Sequence, residues 1–142
     1  MNSLSDWANV FDGITPWAGQ VPRGYLVDFL QTLTDARFLI GRHGDPSLEG
    51  GNYTKTELPT IGSCGEGWFE AVNWFAAARE AKDRFVMMSL GACYGAQAVG
   101  SYKALMAINP MPCKLVVIEP EPSNIVWASV RSIRPLLPTS CA

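Results

Sequence analysis

The clearest periodicity in the chain begins at Gly67, where apolar residues fall at 68, 69, 72, 75, 76 and 78 and Glu70, Arg79, Glu80 and Lys82 lie between them. That spacing predicts an amphipathic helix through the segment GWFEAVNWFAAAREAKDRF. Alanines at 71, 76, 77, 78 and 81 favour it further. Glu66 suits its amino end, and Lys82 and Arg84 suit its carboxyl end. The run Phe85-Val86-Met87-Met88 then reads as a short strand apolar on both faces and covered on both. Ser89 to Gly95, SLGACYG, turns the chain into a second helix over Ala96 to Ala107, which the segment Asn109-Pro110-Met111-Pro112 stops. Lys114 to Ile118 is a β-branched strand, with Glu119 at its carboxyl end. Pro120-Glu121-Pro122 leads into a third helix, SNIVWASVRSIR, which Pro135 closes.

The amino-terminal half is less regular. Residues 1 to 24 combine Trp7, Phe11 and Trp17 with Gly13, Pro16, Gly19, Pro22 and Gly24, which predicts an irregular arm anchored by its aromatics. YLVDFLQTL at 25 to 33 fits a short helix, and ARFLI at 36 to 40 fits a strand. Asp28, Asp35, Arg37, Arg42 and His43 fit a solvated edge. Residues 41 to 66 contain six of the thirteen glycines, the pattern of a lid or linker. The expected division is therefore an irregular arm and glycine-rich loop over 1–66 and an α/β domain over 67–142. The expected core is Phe69, Val72, Phe75, Phe85, Val86, Val99, Leu105, Leu115, Val117, Ile125 and Val130.

Composition narrows the functions on offer. The 142 residues are 48% hydrophobic and 17% charged, with a net charge of −2. Without a basic stripe, nucleic acid is not an expected partner. Cys64, Cys93, Cys113 and Cys141 are far apart, and His43 is the single histidine. No zinc-ligand spacing results, and the cysteines read as free buried thiols in a reducing compartment. The N-terminus has no signal-peptide pattern and no run reaches membrane-helix length. A cytoplasmic, soluble chain without a membrane partner is expected.

Strand, glycine turn, helix, strand and terminal carboxylate form the order in which α/β proteins build a ligand crevice. The turn brings backbone N–H groups to a helix amino end, and Glu119 can accept hydrogen bonds from ribose hydroxyls. The turn is neither G-x-G-x-x-G nor a P-loop, so an adenosine ligand without phosphate is favoured over a pyrophosphate. A βαβ packing unit with a surface Glu119 and no ligand is the plainer alternative.

Ser89-Leu-Gly-Ala-Cys-Tyr-Gly95, followed by Val117-Ile-Glu-Pro-Glu-Pro-Ser-Asn124, resembles the FkbM family of S-adenosylmethionine-dependent methyltransferases. There the turn typically reads Asp-Val-Gly-Ala-Asn-x-Gly and the second strand ends in Glu-Pro-x-Pro. The likeness covers roughly residues 67 to 130. It implies an α/β, partial Rossmann-like (class I methyltransferase) three-layer unit, the N-terminal half of that fold, with S-adenosyl-L-methionine as cofactor. The implied cofactor-binding residues are Ser89, Gly91, Ala92, Cys93, Gly95, Glu119 and Pro120. Of these, Gly91 and Gly95 would line the methionine part and Glu119 would hold the ribose. Ser89 stands where the family has an acid, and Cys93 where it often has Asn. The implied reaction is O-methyl transfer to a hydroxyl of a sugar, polyketide or similar small molecule, by a truncated enzyme, and no residue is nominated as its catalytic base. The other reading is a non-catalytic α/β remnant that binds a partner or forms a homodimer through its open sheet edge.

Overall fold

The structure, a computed structural model, describes residues 4–38, 53–61 and 65–130. It is a mixed α/β arrangement of short two-stranded sheets and helices. A 3-10 helix, Leu4–Phe11, opens it. Strands β1 (Ala18–Gln20) and β4 (Tyr53–Lys55) form one antiparallel pair, and β2 (Tyr25–Val27) and β3 (Leu33–Asp35) form another. Helix α1 (Glu66–Glu80), strand β5 (Phe85–Leu90), helix α2 (Ala96–Ile108), strand β6 (Cys113–Ile118) and helix α3 (Pro122–Val130) follow. β5 and β6 are parallel and in register from Phe85↔Cys113 to Leu90↔Ile118.

The carboxyl-terminal elements lie close to their expected places. Helix α1 stops at Glu80, however, so Lys82 and Arg84 fall beyond it in a bridged turn around Asp83, whose φ is +65°. The basic residue in its last turn is Arg79, which donates to the Val10 and Asp12 carbonyls and so closes the 3-10 helix. The Asn109 amide donates to the Ala78 and Ala81 carbonyls, satisfying the carboxyl end of α1 from the end of α2. Helices α1 and α2 approach closely because position 100 is glycine. A Cβ there would lie 2.5 Å from the Trp74 ring.

The amino-terminal expectations need correction. Residues 25–33 are not a helix. The Asp28 carboxylate accepts the Leu30 and Thr32 N–H groups at 2.9 and 2.7 Å, Asp28 N–H donates to the Thr32 carbonyl, and Gln31 takes φ +62°. Such an aspartate turn removes the i→i−4 ladder and gives a hairpin, β2–β3, instead. Residues 36–38 form a helical turn rather than a strand. The rest of that expected strand, and most of the glycine-rich loop, lie outside the described residues. The arm is more regular than expected, with a 3-10 helix and β1 in it.

Two clusters make the core. One joins Val10 and Phe11 to Trp68, Ala71, Val72, Phe75 and Ala104, with Phe29 and Trp74 against it. Phe75 is fully enclosed, with the Phe11 ring 5.3 Å and the Phe29 ring 6.2 Å from its own. The other joins Ala78, Phe85 and Leu105. Val72, Phe75, Phe85 and Leu105 are thus buried as expected, and Val99 and Leu115 are half-buried.

Phe69, Val86, Val117 and Ile125 are exposed instead. Phe69 lies one turn before the exposed Asn73, off the stripe of Trp68, Ala71, Val72, Phe75 and Ala78 that α1 buries. Val86 lies on the sheet face away from the helices. Val117 faces the helix side, but no described strand flanks β6. Ile125 is on α3, which has at most marginal contact with other described elements. The Val130 side chain lies outside the described residues.

The expectation of a strand covered on both faces also fails. Burial along β5 alternates, with Phe85 and Ser89 buried, Met87 half-buried, and Val86, Met88 and Leu90 exposed. Helices therefore cover one face only, among the described residues. No described helix is long and apolar enough to cross a membrane.

Candidate functional site

Strand β5 delivers the chain to a five-residue turn, Gly91 to Gly95, at the carboxyl end of the parallel pair. Three of its residues have left-handed backbone: Gly91 at φ +65°, Cys93 at +51° and Gly95 at +82°. For Cys93 that conformation is strained, at a cost of about 1–2 kcal/mol. The turn is held by its own backbone. Gly91 and Ala92 N–H both donate to the Ile118 carbonyl, at 2.8 and 3.1 Å, and Gly95 N–H donates to the Ala92 carbonyl at 2.8 Å. Cys93 N–H donates to Glu119 Oε2 at 2.5 Å.

Glu119 therefore stands where the sequence predicts, but it is already engaged. Its other oxygen, Oε1, accepts the Glu121 N–H at 2.9 Å and the Asn124 amide at 3.4 Å. The Glu121 and Cys93 N–H groups, in that order, hold the carboxyl below its ordinary pKa, with the Asn124 amide helping. One anion thus links the β5 turn, the end of β6 and the start of α3.

The predicted residues divide by what they present. Gly91 is exposed, and the space a Cβ would occupy there holds nothing within 4 Å. Ala92 and Gly95 are buried and support the turn, while Pro120 is exposed between the two glutamates. The N–H groups of 91, 92, 93 and 95 already have acceptors, so the expectation that the turn offers them to a ligand is corrected. Ser89 is buried, and its hydroxyl donates to Gln97 Oε1 at 3.4 Å. Residues 89, 91, 93 and 119 thus meet at one end of the sheet.

Four contributors were not legible beforehand. Gln97 passes the contact of Ser89 to Glu70 Oε1 through its Nε2, at 2.6 Å, which brings a carboxylate of α1 to the same end of β5. Asn124 bonds Glu119 directly. Phe38 packs its ring 4.2 Å from that of Tyr94 and so brings the segment after β3 against the turn. Helical spacing could have suggested Gln97, in the first turn of α2. Nothing in the local pattern points to Glu70 or Phe38.

Among the described residues, no three His, Cys, Asp or Glu side chains gather as a metal site. Cys93 and Cys113 carry thiols rather than disulfides, but Cys93 is half-buried and Cys113 exposed, which corrects the expectation of buried thiols. Cys64 and Cys141 lie outside those residues, as does His43. No protein-family model matches the chain, and neither does a curated protein or a solved structure.

Proposed function

We propose that β5, α2 and β6 form the S-adenosyl-L-methionine half-site of a Rossmann-like, FkbM-type methyltransferase acting on a hydroxyl of a small molecule. One observation carries this reading. A carboxylate whose pKa is lowered, Glu119, is bonded to the Cys93 N–H of the glycine turn, at the carboxyl ends of two adjacent parallel strands. The turn also contains the open position of Gly91.

The residues present fit an adenosine ligand. A carboxylate offers about four lone-pair sites, and three are occupied at Glu119. One site remains for a ribose hydroxyl. A second becomes available when that ligand displaces the Asn124 amide, whose 3.4 Å contact is the longest of the three. Gly91 lets the ligand approach the backbone without meeting a side chain. When bound, S-adenosylmethionine supplies an electrophilic methyl group on its sulfonium. The chain's own part is to orient it, with Glu119 fixing the ribose and the rigid turn fixing the end of the crevice.

Isothermal titration of the full chain with S-adenosylhomocysteine tests the proposal. Binding is expected, with Glu119→Ala weakening it roughly tenfold or more, as for loss of a hydrogen bond to a charged group. Absence of heat at millimolar ligand, with circular dichroism showing a folded chain, overturns it.

A further inference from the structure

The packing of α1 on α2 places a second carboxylate at the carboxyl end of β5. The Trp74 ring of α1 lies against Gly100 of α2. About one turn earlier on both helices, Gln97 Nε2 donates to Glu70 Oε1 at 2.6 Å. The two helices therefore run the same way, and Glu70 stands at the amino end of α2. Gln97 Oε1 in turn accepts from the buried Ser89 hydroxyl at 3.4 Å. The contacts Ser89–Gln97–Glu70 thus lead from the end of β5 out to solvent, where Gln97 is exposed and Glu70 half-buried.

Glu70 has more acceptor capacity than this tie uses. A carboxylate offers about four lone-pair sites. Among the described residues Glu70 accepts from Gln97 alone and pairs with no cation. The other groups around the turn are engaged or uncharged. Glu119 already accepts from Cys93, Glu121 and Asn124, and Glu121 Oε1 is turned onto Ser123. Ser89 is neutral, and the backbone N–H groups of the turn are donors, which cannot neutralise a cation.

We infer that Glu70 is the counter-ion for the α-ammonium of the S-adenosyl ligand and selects for ligands that carry that amino-acid tail. This rests on the half-site proposed above. The ligand bears hydroxyls on its ribose and an ammonium at the far end of its sulfur-containing arm. Glu119 meets the turn at Cys93, and Glu70 is held by Gln97 at the start of α2. Cys93 and Gln97 are four residues apart in the chain, which bounds their Cα separation to about 14 Å. A single ligand of this size can meet both carboxylates. Hydrogen bonds between an ammonium and a carboxylate are the strong, charge-assisted kind. Glu119 thus serves the nucleoside and Glu70 serves the tail.

Isothermal titration of the full chain with S-adenosylhomocysteine and with methylthioadenosine, which lacks the amino-acid tail, tests this. The wild-type chain should bind the first more tightly. Glu70→Gln keeps an acceptor oxygen for Gln97 and should leave the denaturant midpoint unchanged. It should weaken S-adenosylhomocysteine roughly tenfold, as for loss of a hydrogen bond to a charged group, and leave methylthioadenosine as it was. Glu119→Ala should weaken both. Equal wild-type affinities for the two ligands overturn the inference. So does Glu70→Gln acting on both alike, which would make Glu70 only a tie between helices, or acting on neither. In those cases the half-site itself stands. If the wild-type chain binds neither ligand, the half-site falls and this inference falls with it.

Discussion

The hairpin around Asp28 and the crevice around Glu119 use the same device with opposite electrostatic results. Each carboxylate accepts the N–H two residues downstream, Leu30 for Asp28 and Glu121 for Glu119. Each also accepts a second backbone N–H, from Thr32 and Cys93 respectively. Burial dominates at Asp28 and raises its pKa, although those N–H groups and the nearby Lys103 ammonium act against it. At Glu119 the hydrogen bonds dominate and lower it. Solvent, not the number of donors, decides the sign. The difference separates a carboxylate committed to architecture from one with capacity left for a ligand.

The two regions also differ in what holds them. The hairpin depends on side chains from elsewhere. Phe29 packs on Phe75 of α1, and the Lys103 ammonium of α2 donates to the Leu30 and Gln31 carbonyls. The crevice is held mostly by its own backbone and by Glu119. Phe75→Ala breaks this comparison most strongly. It should cost about 3–5 kcal/mol in denaturant unfolding, the range for emptying a buried phenylalanine site. Hydrogen exchange in the variant should rise more at the β2–β3 amides than at β5–β6. Equal loss in both regions would show that the crevice depends on the aromatic core as well. Gly91→Ala is the matching test of the crevice. The space beside Gly91 is open but its φ is +65°, so the cost should be backbone strain alone, about 1–2 kcal/mol. Binding of S-adenosylhomocysteine should fall by more than that loss of stability explains, because the methyl group occupies the proposed approach.

The same contrast explains what the sequence made legible. β5, α2, β6 and Glu119 follow from local pattern, because each element is long enough to show a period and its neighbours are consecutive. The strands of the amino-terminal half are three residues each, too short for a period of two to register. β1 pairs with β4, more than thirty residues away, so no local window contains both. The apolar residues of 25–33 have helical spacing, yet the side chain of Asp28 and the left-handed Gln31 turn the segment back on itself. Aspartate four residues before threonine was the available signal. In β5 the letters FVMM show apolar side chains on both faces, but not that helices cover one face only. At the site, Glu119 could be read from its place at a strand end. Its prior engagement by Cys93 and Asn124 could not, because it depends on the Cys93 backbone and on where α3 begins.

The smaller predictions concern pH. Asp28 has a raised folded-state pKa, so the native state holds its proton where the unfolded chain has lost it. Stability from this group is complete below the ordinary aspartate range and is lost as pH rises through the folded value. Asp28→Asn keeps an acceptor oxygen for Leu30 and Thr32 but removes the titration. Denaturant midpoints against pH should then lose that decline, and an unchanged profile would refute the burial of this carboxyl.

Glu119 acts in the reverse sense and at lower pH. Its folded-state pKa is lowered, so its contribution is present above the ordinary glutamate range and is lost as pH falls through the folded value. Glu119→Gln should therefore make acid unfolding less steep, by a smaller amount than Asp28→Asn changes the profile, because the carboxylate is only half-buried and water screens it. Both carboxylate oxygens are engaged in the wild type, and the glutamine amide has a single acceptor oxygen. It can serve either Cys93 or the Glu121 and Asn124 pair. Hydrogen exchange at the Cys93 and Glu121 amides then decides which contact anchors the turn. Faster exchange at Cys93 with Glu121 protected would show that the α3 end holds the carboxylate more tightly than the β5 turn does. The converse would place the anchor in the turn that faces the proposed ligand.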